Sequence, residues 1–214
     1  MTLYVVATPI GNLSDITLRA VETLKSVDYV VAEDTRRAGK LMAHLGVKKP
    51  FISYFAGRER EKVAKIIGLL QEGKEVALIT DAGTPCISDP GSILVEACYD
   101  AEIEVVPIPG ASAVTAALSV SGFRADNFSF LGFFPKKGKT KFVDEIIAAT
   151  RTIVFYESPH RMAKTLQLLA EHIPERKICI ARELTKRYEE IILGTVQEIA
   201  SKERTWKGEL VVIL

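Results

Sequence analysis

Three cysteines and three histidines in 214 residues leave little material for disulfide or metal chemistry. Cys86, Cys98 and Cys179 are widely spaced with no C-x-x-C pair, and an odd, sparse count of this kind points to a reducing compartment. His44, His160 and His172 are isolated, so no Cys/His spacing resembles a zinc site, and no metal is expected. A formal net charge of +1 excludes a general nucleic-acid coat, which carries a strong basic excess, but leaves room for a local basic patch. No apolar run approaches the roughly 20 residues that span a bilayer. Met1 leads straight into the strand-like "LYVVA", without the basic and apolar regions of a secretory signal. A soluble, cytoplasmic protein without membrane contact is the expectation. Two nucleotide signatures are missing as well: no G-x-G-x-x-G follows the first apolar run, and no G-x-x-x-x-G-K-[ST] occurs.

What is present is an alternation. Short runs rich in Val and Ile, at 3–7, 29–33, 51–54, 75–80 and 103–107, are separated by segments of helical period. Such strands and helices read as βαβ units around a largely parallel sheet, and the near-continuous apolar character of the strands fits burial on both faces. Ser14 or Asp15 is the expected N-cap of the first helix, and Gly46 and Gly73 the expected stops of the second and third. After 107–123 the texture changes. Strands are predicted at 128–134, 152–157, 177–183, 188–194 and 208–214, with three helices among them. The short gap between "KICIARE" and "YEEIILG" suggests an antiparallel pair or a mixed sheet. The expectation is two α/β domains, residues 1–115 with a mostly parallel sheet and 116–214 with a mixed one.

In open α/β sheets, ligands bind beyond the carboxyl ends of the strands. Four loops at such ends are unusual in composition: "TPIGNLSD" (8–15), "EDTRR" (33–37), "TDAGTPCISDPG" (80–91) and "PIPGASA" (107–113). Turn residues alone explain one such loop, but simple turns do not also need Asp, Glu, Thr and Arg. Cys86 sits in the third loop with no activating neighbour in sequence. In the second half, "FYESPHR" (155–161) puts Glu157 at a strand end and Ser158-Pro159 at a helix start. Glu157 either pairs with Arg161 or serves a site. "FFPKKGKTKF" (133–142) interleaves aromatics with lysines, a pattern that suits phosphate contact and base stacking but also plain solvated surface.

With these residues assembled, the sequence resembles the tetrapyrrole methylase superfamily, and within it the ribosomal RNA small subunit methyltransferase I family. The resemblance runs over essentially the whole chain, on "VATPIGNLSDITLRA", "AEDTR", "DAGTPCISDPG", "PIPGASA", "FLGFFP" and "FYESPHR" in the family's order. Gly83-Thr84-Pro85 stands where the cobalamin and sirohaem branch shows G-D-P, which favours the RNA branch. The resemblance implies two α/β domains with S-adenosyl-L-methionine in the cleft between them. It implies methyl transfer to the ribose 2′-hydroxyl of a cytidine in 16S rRNA, on the free RNA or in the small ribosomal subunit, by a homodimer. Matched position by position, it implies donor contacts at Pro9, Asp81, Ala82, Gly83, Thr84, Ile87, Ser88, Ser112, Ala113, Tyr156 and Leu184. Family members usually continue into a small C-terminal helical segment where this chain stops on "GELVVIL", as a truncation or a short member. The alternatives are a tetrapyrrole C-methyltransferase and an RNA-binding module without catalysis.

Transfer from a sulfonium to a hydroxyl is an in-line displacement that depends on positioning, helped by an acceptor for the hydroxyl proton. Glu33, Asp34, Asp89 and Glu157 are the carboxylates at strand ends, and Glu157 is the expected catalytic base. Arg36, Arg161 and the lysines Lys136, Lys137, Lys139 and Lys141 are expected to take phosphates. In "LITDAGTPCISDPG", Asp89 and Pro90 are expected to cap and open the next helix.

Overall fold

The computed structural model describes residues 1–55 and 59–214, which divide into two units, Met1–Ser112 and Ala113–Leu214. The first holds five strands, β1 (Thr2–Val6), β2 (Tyr29–Ala32), β3 (Phe51–Ser53), β4 (Val76–Ile79) and β5 (Glu104–Ile108). They pair in the order β3-β2-β4-β1-β5, all parallel, with Leu3 opposite Val76 and Val31 opposite Leu78. Helices α1 (Leu18–Ser26) and α2 (Thr35–His44) cover one face, where Ala20, Leu24 and Met42 pack on Val6, Val30, Ala77 and Ile79. Helices α3 (Glu59–Gln71) and α4 (Ser92–Asp100) cover the other, where Ile66, Leu70, Leu94 and Cys98 pack on Leu3, Val31, Val76 and Leu78. Neighbouring residues of β4 thus feed opposite layers, which is why "VALI" is apolar without alternation and buried throughout.

The expected glycine stops hold: Gly46 and Gly73 lie just past α2 and α3 with φ of 67° and 83°. Two cap expectations are corrected. Ser14 and Asp15 belong to a separate turn of 3₁₀ helix capped by Asn12, and α1 is capped by Thr17, whose hydroxyl accepts from Ala20 N–H. Helix α4 starts at Ser92 behind Gly91, so Asp89 and Pro90 remain in the loop. Gly91 has φ 145°, and a Cβ there would lie 2.5 Å from the Cys86 sulfur and 2.9 Å from Leu78 Cδ2. The chain therefore turns into α4 only with glycine at this position.

The second unit begins with α5 (Ala113–Ser121), so the division falls ahead of the whole helix rather than within it at 115/116. Its sheet runs β6 (Phe128–Phe133), β7 (Thr152–Glu157), β10 (Leu210–Ile213), β8 (Lys177–Arg182), β9 (Glu190–Thr195). Only β6 and β7 pair in parallel; the other pairs, β8 with β9 among them, are antiparallel. Period-two alternation is clean here. Ile153, Phe155, Ile178, Ile180, Leu210 and Val212 face α6 (Lys139–Ala148), α7 (Pro159–His172) and α8 (Val196–Ala200). Val154, Cys179, Ala181, Val211 and Ile213 face α5. Truncating fully buried Phe155 to alanine would cost about 3–5 kcal/mol.

Candidate functional site

Because the first sheet is wholly parallel, the loops after β1, β2, β4 and β5 leave from one edge. The exits of two neighbours diverge: β1 feeds α1 on one face, β4 feeds α4 on the other. That divergence is the topological switch at which open sheets bind ligands. Here the four loops are tied to one another. Thr8 N–H donates to Gly83 O at 2.9 Å and Gly83 N–H returns to Thr8 O at 3.0 Å. The Thr8 hydroxyl donates to Thr80 O at 3.2 Å, and the Thr84 hydroxyl reaches Ala111 O, also at 3.2 Å. Asp81 accepts from Asp34 N–H at 3.2 Å and pairs with Arg37 at 3.4 Å. Gly110 lies so close that a Cβ would sit 3.0 Å from Ala7 Cβ.

The loop from Thr80 to Gly91 also stores strain. Cys86 and Ser88 have φ of 69° and 63°, a left-handed conformation that side chains disfavour. Ile87 between them is 46% exposed, an apolar side chain held out at the edge by its strained neighbours. Cys86 is half-buried with its sulfur against Gly91, which suits packing. Burial pushes the Cys98 and Cys179 thiols up to about 11, which leaves them unreactive.

Carboxylates gather at the same edge. Burial first, then the charges of Asp81 and Asp89, raises the Glu33 carboxyl above its ordinary value. Burial first, then the charge of Asp81, raises Asp89 above its ordinary value. Asp34 differs. Arg36 binds it at 3.0 and 2.7 Å, and its carboxylate caps α2, which holds it well below the usual carboxylate range. Arg36, expected to meet phosphate, is engaged in that local pair although exposed.

Of the positions singled out in sequence, this edge brings together Pro9, Asp81, Ala82, Gly83, Thr84, Ile87 and Ser88. Ser112 ends the first unit and Ala113 opens the second. Thr8, Gly110 and Ala111 were missed as individual residues, although "TPIG" and "PIPGASA" carried the signal.

In the second unit, Tyr156 lies on β7, with the rings of Phe130 and Phe133 edge-on at 4.9 and 5.2 Å. Leu184 follows β8 in a turn whose flanking Glu183 and Thr185 have φ of 50° and 65°. A Cβ on Gly208 would lie 2.3 Å from Glu183 Cδ, so a glycine leaves room for this second strained turn. Glu183 is drawn by burial toward higher values, but Lys186 and the Glu209 N–H outweigh this and lower it.

The expectation for Glu157 is corrected. Its side chain is 0% exposed, and its oxygens accept from Ser158 N–H, the Thr165 hydroxyl and Arg161, each at 2.6 Å. A carboxylate so enclosed and so fully engaged fastens the start of α7 to β7 and has no face for a substrate proton. Arg161 is consumed by the same contact, with its second terminal nitrogen buried and without a hydrogen-bond partner, so it does not present itself to phosphate. Lys136 and Lys137 are exposed, and Lys139 opens α6. Cations at a helix N-terminus oppose its dipole, and an anion there relieves the cost.

Parallel strands, tied loops and gathered carboxylates make this edge the ligand-binding end of the first sheet. Carboxylates raised by burial first and by one another's charge second are stabilised by a neighbouring cation, and the glycines let backbone approach a bound molecule closely. The comparisons with known proteins agree in class. The family model for tetrapyrrole (corrin/porphyrin) methylases matches residues 2–200. A uroporphyrin-III-C-methyltransferase from Thermus thermophilus shares the fold with a TM-score of 0.67 at 20% identity, covering 99% of this chain and 93% of that one. At closer range stand proteins named ribosomal RNA small subunit methyltransferase I. That of Haemophilus influenzae is 46% identical over 99% of this chain and 77% of its own. That of Thermotoga maritima is 45% identical over 99% of this chain and 97% of its own. The chain belongs to the ribosomal RNA small subunit methyltransferase I family of the tetrapyrrole methylases.

Proposed function

We propose that the protein transfers a methyl group from S-adenosyl-L-methionine to the ribose 2′-hydroxyl of a cytidine in 16S rRNA, with the small ribosomal subunit as substrate. The observation that carries this reading is identity of about 45% along nearly the whole chain to relatives named for the small-subunit RNA. The donor supplies an electrophilic methyl on a sulfonium. In-line transfer of that methyl to the 2′-oxygen would leave a neutral thioether and release the hydroxyl proton to a base.

The chain's own part is placement. The tied loops from Pro9, from Asp81 to Ser88 and at Ser112 hold the donor through backbone contacts, and Ala113, Tyr156 and Leu184 are carried as contacts from the residue-by-residue match. Asp81 and Asp89 offset the cationic groups. With Asp34 and Glu157 both engaged, Glu33 and Asp89 are the carboxylates left to accept the proton, and the task falls to Glu33, the less buried of the two, whose raised affinity for protons suits it. Lys136, Lys137 and Lys139 take RNA phosphates. Two copies act as a homodimer in the cytoplasm.

The test offers labelled donor with either small ribosomal subunits or a porphyrinogen. Label in 2′-O-methylcytidine of the rRNA supports the reading. Label on the porphyrinogen gives the tetrapyrrole alternative, and donor binding without transfer gives the inactive module. Sedimentation velocity tests the dimer.

A further inference from the structure

The strands β6, β7 and β8 run the same way, so their amino ends share one edge of the second sheet with the end of β10. Three turns meet at that edge and line an open concavity of about 490 Å³. Arg124 enters from the turn before β6, Arg151 from the turn before β7, Arg176 from the turn before β8 and Lys177 from the first position of β8. Leu214 forms a further wall, and Asp126 is the acidic side chain among the lining residues.

Four cations from these three turns and the start of β8 converge on one concavity in a chain of net charge +1. The side chains are also braced rather than mutually neutralised. Arg176 Nη1 donates to Ile146 O at 2.7 Å, which fixes a half-buried guanidinium whose pKa burial lowers. Arg151 is held through Nε by the Ser129 hydroxyl, which leaves its terminal nitrogens as donors. Arg124 alone is paired, with Asp126 at 3.0 Å. Fixed, planar guanidinium groups are suited to phosphate oxygens.

The pocket lies at the opposite edge of this sheet from Tyr156 and Leu184. Strand β7 has six residues, and at roughly 3.3 Å each its two ends stand roughly 17–20 Å apart. The ligand here is therefore not the donor. We propose that this basic pocket is a docking site for the RNA sugar-phosphate backbone, several nucleotides from the methylated cytidine, and that it supplies affinity without touching the chemistry. This rests on the proposed action on rRNA, and a second protein that binds through acidic side chains is the competing occupant.

The experiment compares the full chain with Arg151→Ala/Lys177→Ala, and with Lys48→Ala/Lys65→Ala as a charge-matched control on the first unit. Binding of small ribosomal subunits is measured across salt, together with donor binding and methyl-transfer kinetics. The inference expects donor binding and kcat unchanged, KM for subunits raised at least about tenfold, and a salt slope reduced by about 1.4–1.8 for two lost phosphate contacts. The control should change none of these. Arg151→Lys, which keeps the charge, should restore most of the slope, and Lys177→Glu alone should weaken binding without disturbing the bonds that brace the arginines.

Equal behaviour of the pocket and control variants overturns the inference while the rRNA activity stands. Loss of kcat with binding intact overturns it too. A wild-type chain that neither binds nor methylates the subunit removes the proposed function, and the inference with it. Binding to purified rRNA untouched by the pocket variant, with binding to the assembled subunit lost, assigns the site to a ribosomal protein and overturns the RNA reading.

Discussion

Thr8 and Gly83 exchange two backbone hydrogen bonds, at 2.9 and 3.0 Å, and so stitch the loop after β1 to the loop after β4 where their helices part to opposite faces. The crevice that an open sheet leaves at its switch point is thereby given a fixed floor. Gly83 holds this geometry at φ 85°, where a Cβ would stand 3.3 Å from Ile10 Cγ2. Gly83→Ala should therefore cost about 1–2 kcal/mol of stability from left-handed strain. It should weaken donor binding at least about tenfold by equilibrium titration, while the second unit's near-ultraviolet signature stays unchanged.

Glu157 separates a structural from a catalytic role. Glu157→Ala leaves Arg161 half-enclosed without its partner and should lower stability by about 3–5 kcal/mol in chemical denaturation. The fraction that remains folded at low temperature should keep a kcat within a few-fold of the parent. A kcat loss of a hundredfold or more in well-folded protein would return the general-base role to Glu157.

Glu33 should behave in the opposite way. Glu33→Gln should reduce kcat by about 10²-fold or more with donor affinity nearly unchanged, as removal of a proton acceptor does.

The same residue makes a prediction for stability against pH. A carboxyl whose folded pKa is raised binds its proton more tightly folded than unfolded. Its ionisation then costs stability above the raised value, and the cost is absent below the ordinary carboxylate pKa. Glu33→Gln should stabilise the protein at pH 7, by no more than about 0.5 kcal/mol because solvent screens a partly exposed group. The gain should vanish near pH 3.5. Melting curves at the two pH values check this, and equal gains at both would show that charge is not the cause.

The strands were legible in sequence because strand burial writes itself into residue choice. Buried on both faces, β4 reads as an unbroken apolar run. Facing two different layers, β7 and β10 still read as apolar because α5 covers the second face. Caps were less legible. Ser14, Asp15 and Thr17 are all acceptable N-caps, and only the 3₁₀ turn that occupies Leu13–Asp15 decides for Thr17. Asp89-Pro90 has the composition of a helix start, but the close approach of Cys86 and Leu78 to Gly91 postpones α4 by two residues. The role of Glu157 was open for a similar reason. "FYESPHR" shows a carboxylate beside an arginine, and the deciding partner, Thr165, lies two helical turns on. The basic pocket was invisible, since Arg124, Arg151 and Arg176 are about 25 residues apart in sequence and meet only once three strands align their amino ends.

The lysine loop ahead of α6 yields a prediction independent of the pocket. Lys136→Ala/Lys137→Ala/Lys139→Ala should stabilise the protein slightly, because it removes cations from a helix N-terminus. KM for the ribosomal subunit should rise several-fold with donor binding untouched. If stability rises and KM does not, these lysines are solvated surface.

The most direct measurement of the central claim is nucleoside analysis by mass spectrometry of small-subunit RNA after incubation with the protein and isotopically labelled S-adenosyl-L-methionine. The account predicts label in 2′-O-methylcytidine of 16S rRNA, lowered at least about tenfold by Gly83→Ala at limiting donor and retained by folded Glu157→Ala. Label on a base carbon or nitrogen, or transfer to a porphyrinogen with none to the RNA, would contradict it.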